Sequence, residues 1–206
     1  QAAEDGNLQA VQTALAKGAD INMQTADGTT ALYKASFDGH SEVVKLLLEK
    51  GANVNAKTSP AGLTALFIAS QNGRTEVVRV LLENAADVDT KQPGTGVTAL
   101  WMASQNGHVE VVKLLIENGA GIDTKKSSNG VTALWMASQN GHTEVTKLLL
   151  EKGADVNAKR TTDGVTPLFI ASALGHTEVV RLLLEKGANV NAKANDGKTA
   201  LGIAKQ

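Results

Sequence analysis

A single period governs this chain. The string Thr-(Ala/Pro)-Leu begins at Thr30, Thr64, Thr98, Thr132, Thr166 and Thr199, at spacings of 34, 34, 34, 34 and 33 residues. The thirteen residues from Gly96 to His108 recur unchanged from Gly130 to His142. Gly39, Gly73, Gly107, Gly141 and Gly175 keep the same step, as do Glu42, Glu76, Glu110, Glu144 and Glu178. A period of this length argues against one continuous globular core. Each unit is a supersecondary element that can bury its apolar face only against its neighbours. The composition agrees: 20 glycines and only 3% aromatic residues suit small units stacked closely.

Within a unit the signals are those of two short helices and a turn-rich connection. The first helix should run from Thr98 to about Asn106. The Thr hydroxyl accepts from an orphaned backbone N–H, and Gly107 stops the helix in the left-handed conformation. The second should run from about Val109 to Asn118, with Val111, Val112, Leu114, Leu115 and Ile116 as its apolar face and Gly119 as its end. Gly51, Gly153 and Gly187 end the other second helices, but Ala85 stands at that place in one unit. A left-handed alanine is expected there, at a steric cost that glycine escapes. The polar stretch from Ile122 to Val131 reads as an extended hairpin.

The run Gly-Val-Thr-Ala-Leu-Trp-Met-Ala-Ser-Gln-Asn-Gly-His, followed by Glu-Val-Val-Lys-Leu-Leu-Ile-Glu-Asn-Gly-Ala, resembles the ankyrin repeat. The resemblance covers the whole chain. It implies an all-α solenoid of stacked helix pairs with projecting β-hairpin fingers, forming one domain over 1–206. A partial unit (1–28) precedes full units at 29–62, 63–96, 97–130, 131–164 and 165–197, and a truncated unit (198–206) follows. Both ends, and the missing initiator Met, are expected to reflect trimming. The sequence departs from the family pattern in two further ways. The four internal fingers carry one extra residue, which should alter their tips and spare the stack. The family's usual His after Thr-Pro-Leu is replaced by Tyr33, Phe67, Trp101, Trp135 and Phe169.

In such a chain the chemistry is read down columns. The five rings just named form a ladder, either as packing at the base of the fingers or as an aromatic strip on the concave face. Phe37 stands outside it. All four histidines, His40, His108, His142 and His176, follow a glycine at the inter-helix turn, with Arg74 completing the column. Ligands of one metal must converge, and a ladder stepped by a whole repeat cannot make them do so. Stabilisation of the turn by the imidazole is expected instead. Lys57, Lys91, Lys125, Lys159 and Lys193 place one cation in each finger, reinforced by Lys126 and Arg160. The Glu column should pair with Lys45, Arg79, Lys113, Lys147 and Arg181 at i,i+3.

Several functions are disfavoured. There are no cysteines, hence no disulfide, thiolate metal site or Cys nucleophile. Twenty basic residues stand against 21 acidic ones, so the bulk charge of a nucleic-acid binder is lacking. No apolar run approaches the length of a membrane span. Gly197-Lys198-Thr199 imitates the end of a phosphate-binding loop, but its first Gly is Ala192. Nothing resembles an active site, which needs unlike residues converging at one point.

The resemblance implies a non-enzymatic protein-interaction scaffold, and no cofactor or metal is expected. It is expected to be cytoplasmic and monomeric and to bind a protein or peptide, not nucleic acid or membrane. The resemblance implies a concave surface of fingers and first helices. The candidate contact residues are Leu63, Gln71, Asn72, Val97, Trp101, Gln105, Asn106, Val131, Trp135, Gln139, Asn140 and Val165. Two alternatives stand beside it. The identity between units suits an engineered or consensus-derived repeat protein with no native partner. The resemblance also implies a substrate of asparaginyl hydroxylation, with Asn55, Asn157 and Asn191 as targets.

Overall fold

A computed structural model describes residues 1–204, and their helices fall in pairs. The chain order is α1 (Leu8–Ala16), α2 (Ala31–Asp38), α3 (Ser41–Glu49), α4 (Ala65–Gln71), α5 (Thr75–Glu83), α6 (Ala99–Asn106), α7 (Val109–Glu117), α8 (Ala133–Gln139), α9 (Thr143–Glu151), α10 (Pro167–Ala173), α11 (Thr177–Glu185) and α12 (Ala200–Ala204). The even-numbered first helices pack on one another in sequence, and so do the odd-numbered second helices. Each first helix from α2 to α10 also packs on the second helix that follows it. Two layers result, with the core between them.

The threonine signal works as expected. Thr30, Thr64, Thr98, Thr132 and Thr166 accept on Oγ1 from the N–H three residues on, at 3.1–3.3 Å. Each also has the extended backbone of an N-cap. Leu32, Leu66, Leu100, Leu134 and Leu168 of the first helices are buried, as are Leu47, Leu81, Leu115, Leu149 and Leu183 of the second. Ala35, Ala69, Ala103, Ala137 and Ala171 are fully buried. Small side chains there let successive first helices approach closely, which explains the scarcity of aromatics.

The fingers differ from the expected β-hairpins. Among the described residues the one β-bridge is Lys193 with Thr199, and no strand forms. Each finger is a tight turn whose outer closing bond is of the kind Gln92 N–H to Val97 C=O at 2.8 Å and Lys126 N–H to Val131 C=O at 2.9 Å. A second bond lies inside it, Gly96 N–H to Gln92 C=O at 2.9 Å and Gly130 N–H to Lys126 C=O at 2.8 Å. The extra residue lies inside this loop. Closure spans five residues in the internal fingers but four in the first (Thr25 to Thr29) and last (Ala194 to Lys198). The fingers are tied to one another instead. Ser59, Ser127, Thr161 and Asn195 donate backbone N–H groups to Asp27, Thr95, Asn129 and Asp163 at 2.7–2.8 Å. Pro93 occupies the missing rung and has no N–H to give. Its ring packs on Gly62, where a Cβ would stand 2.4 Å from it.

Candidate binding surface

The exposed side of the first helices faces the fingers, and the columns divide here into structural and free side chains. Trp101 and Trp135 are buried at 7% and 2% exposure. They form a second apolar cluster with Phe67, Val97, Val131, Met136, Val165 and Ala194, against which Leu63, Met102, Phe169 and Ile170 pack. Of the two arrangements open to the ring column, these rings take packing at the base of the fingers, and the stem valines Val97, Val131 and Val165 are buried in the same cluster. Trp135 also donates its Nε1–H to the Val165 carbonyl at 3.1 Å.

Lys126 and Arg160 do not reinforce an open basic row. Lys126 Nζ lies 5.4 Å from the centre of the Trp101 ring, and the Arg160 guanidinium lies 4.7 Å from that of Trp135. Each cation caps the outer face of a tryptophan. Arg160 is held in turn by Asp163, whose carboxyl falls below its ordinary range chiefly through that hydrogen bond. Lys57, Lys91, Lys125, Lys159 and Lys193 remain exposed.

The histidines act across units, not within their own turn. The Nε2–H of His108, His142 and His176 donates to the carbonyls of Gln71, Gln105 and Gln139 at 2.8–3.0 Å. His40 does the same to Glu4, and Arg74 Nε donates to Phe37. Asn72, Asn106 and Asn140 donate Nδ2–H to the carbonyls of Phe37, Gln71 and Gln105 at 2.7–3.2 Å. The carbonyls of Phe37, Gln71 and Gln105 thus each accept from both an amide and a cap residue of the next unit. These asparagines are inter-unit ties, a role that sequence reasoning missed. The signal available was their constant pairing with the His column.

Gln71, Gln105 and Gln139 are different. They are partly exposed, and among the described residues their side chains make no hydrogen bond. Leu63 is half-buried at the finger stem. On the opposite side, Glu42–Lys45, Glu76–Arg79 and Glu178–Arg181 form i,i+3 pairs. No pair is found for Lys113 or Lys147 among the described residues, so the expected regular row is only partly formed.

A further column ties the units at the far side of the helices. The side-chain oxygens of Asn22, Asn55, Asp89, Asp123 and Asn157 accept from the backbone N–H of residues 53, 87, 121, 155 and 189, at 2.8–3.0 Å. Asn55, Asn157 and Asn191 are exposed. Asp serves this column as well as Asn, because only the acceptor oxygen is used.

Comparison with known proteins follows this geometry. Models of the ankyrin repeat match residues 1–92, 89–160 and 163–195. The chain belongs to the ankyrin-repeat family. A search of curated proteins gave no match. Among solved structures, the ankyrin repeat domain of human ASB11 superposes with a TM-score of 0.89 at 34% identity, covering 98% of this chain and 89% of that one. The ankyrin repeat domain of Bcl-3, described as a unique member of the IkappaB protein family, gives 0.86 at 30% identity, with 100% and 92% covered. No helix among the described residues is long and apolar enough to cross a membrane.

Proposed function

We propose that this ankyrin domain is a non-catalytic interaction module that binds a protein or peptide along its concave side. Gln71, Gln105 and Gln139 supply the central contacts and Leu63 an apolar flank. Ankyrin repeats are in general protein–protein interaction domains, which supports the class. The observation that carries the finer reading is the uncommitted row of glutamine amides. Their asparagine neighbours are explained by the stack, and the glutamines are not. A polar side chain without a structural bond, repeated at one place on three successive helices, suits a partner with an extended backbone. That partner would meet one amide per step.

The test is a partner captured from the source cell and measured against two sets of variants. Gln105→Ala with Gln139→Ala should weaken binding on the order of tenfold or more. The melting temperature should be unchanged, because only the backbone carbonyls of these residues serve the stack. Charge reversal at Lys113 and Lys147 should change neither quantity. Loss of binding on the charge reversals with full binding by the glutamine variants would place the interface on the opposite side.

A further inference from the structure

Phe37 and Asp38 break the columns that the later units keep. They stand where Gln71, Gln105 and Gln139, and Asn72, Asn106 and Asn140, stand elsewhere. Phe37 is 45% exposed. With Tyr33 one turn earlier and Leu63 of the next finger, it walls a cavity of about 370 Å³. Glu4, Asp27 and Asp38 also line this cavity, with Lys34 as the one cation. Lys34 is paired with Glu4 at 3.8 Å. Three carboxylates against one ammonium leave two negative charges, on Asp27 and Asp38, and neither makes an ion pair among the described residues. Asp163 and Asp196, which take Asp27's place in later fingers, are each neutralised by a cation, Arg160 and Lys198.

Asp27 is a fixed charge. The Thr25 hydroxyl and the Thr29 backbone N–H donate to it, and such bonds hold its pKa down to about 2. Tyr33 lies near enough to feel it: burial raises the phenol, and the Asp27 charge raises it further. Beyond this cavity the fingers present exposed Lys57, Lys91, Lys125 and Lys159. The α2 end of the concave side is therefore set apart by two carboxylates without a cation among the described residues, Asp27 and Asp38.

We propose that this cavity receives an arginine side chain of the partner segment, stacked on Tyr33 and Phe37 and paired with Asp27 and Asp38. A planar guanidinium matches aromatic faces and carboxylates together, and its aliphatic stem packs against Leu63. A purely apolar occupant would desolvate two carboxylates without pairing them. An acidic one is repelled. The assignment rests on the concave-side reading and gives it a direction, with the basic residue at the α2 end.

The test uses the whole chain, labelled for NMR and titrated with N-acetyl-leucyl-arginine amide. A second titration uses the neutral isostere carrying citrulline. The arginine probe should shift the amides of Tyr33, Phe37, Asp38 and Leu63 saturably, and the citrulline probe should not. The variant Asp27→Asn, Phe37→Gln, Asp38→Asn should weaken the arginine probe on the order of tenfold. The fold has internal precedent for each change. Asn129 accepts from the N–H two residues on as Asp27 does, and Gln71–Asn72 already occupies the same place on α4. Equal response to both probes, no saturable response, or full affinity in the variant overturns the arginine site. None of these results bears on the glutamine row, whose failure is read separately from the Gln105→Ala, Gln139→Ala measurement.

Discussion

Ala85 sits in the left-handed region at φ 60°. It closes α5 with the bonds that Gly119 uses to close α7: its N–H reaches Leu82 at 3.1 Å, and the next N–H reaches Leu81 at 3.0 Å. Gly51, Gly119 and Gly153 meet the same requirement at φ 88°. Ala85 therefore bears a steric cost that its neighbours along the stack avoid, and Ala85→Gly should raise stability by about 0.5–1 kcal/mol. A thermal or urea melt checks this, and an unchanged midpoint would show that the cost is relieved. Thr146 is a second local misfit. It stands among Val44, Val78 and Val112, is fully buried as they are, and its hydroxyl has no partner. Valine has nearly the same shape without the polar atom, so Thr146→Val should stabilise by about 1–2 kcal/mol. Thr146→Ser is the control. It keeps the hydroxyl and loses a methyl, and should destabilise in the same melt.

The turn between the two helices of a unit shows what one element asks of the next. Gly141 has φ +71°, and a Cβ there would stand 2.7 Å from Nδ1 of His176. That ring cannot move freely, because its Nε2–H is bonded to Gln139 at 2.8 Å. Gly153, at the end of α9, has φ +88° but nothing within 4 Å of a Cβ. Gly153→Ala should therefore cost only the backbone term, about 1 kcal/mol, and Gly141→Ala that plus a clash of about 1–3 kcal/mol. Equal losses in urea melts would mean that the imidazole is not a fixed strut. The helices, their caps and the left-handed alanine were legible in the sequence, because each depends on residues close in the chain and repeated six or five times. The His and Asn ties were not. A period says that His108 follows Gly107 in every unit, but not that its Nε2 reaches back to Gln71. The fingers were read as strands because their polar, turn-rich pattern suits a hairpin. Each internal finger keeps only a pair of backbone bonds around its turn, such as Gln92 N–H to Val97 and Gly96 N–H to Gln92, too few for a ladder. The N–H groups of Ser59, Ser127, Thr161 and Asn195 go to the neighbouring finger. The concave candidates divided for the same reason. Burial of Trp101 and Trp135 depends on how the fingers pack on the first helices, which spacing alone does not determine.

Across the whole molecule the units share one mechanism of stability and so should open in order of the neighbours they have. In a stacked array the free energy is a sum of unit terms and interfaces, and the interfaces dominate when units cannot fold alone. α4 to α9 are covered on both sides by other units, and their leucines at the centre of the stack are almost wholly buried. Towards the end of the described residues the cover thins. Leu184 is 43% exposed, Val190 48% and Leu201 62%. α12 packs on α10, with no second helix after it among the described residues. Amide exchange of this polypeptide should therefore be slowest between Thr64 and Gly153 and fastest after about Asn195. The ties between units sharpen the expectation. The amides of Asp87, Gly121, Asp155 and Asn189 donate to side chains of the preceding unit, at 2.9, 3.0, 3.0 and 2.8 Å. They exchange only when that interface parts, and so report interface opening directly. Protection at Gly121 should exceed that at Asn189, although the bond lengths are similar, because the first interface lies inside the array and the second near its edge. Equal protection at these amides would mean that the array opens as one body, with no local separation of units.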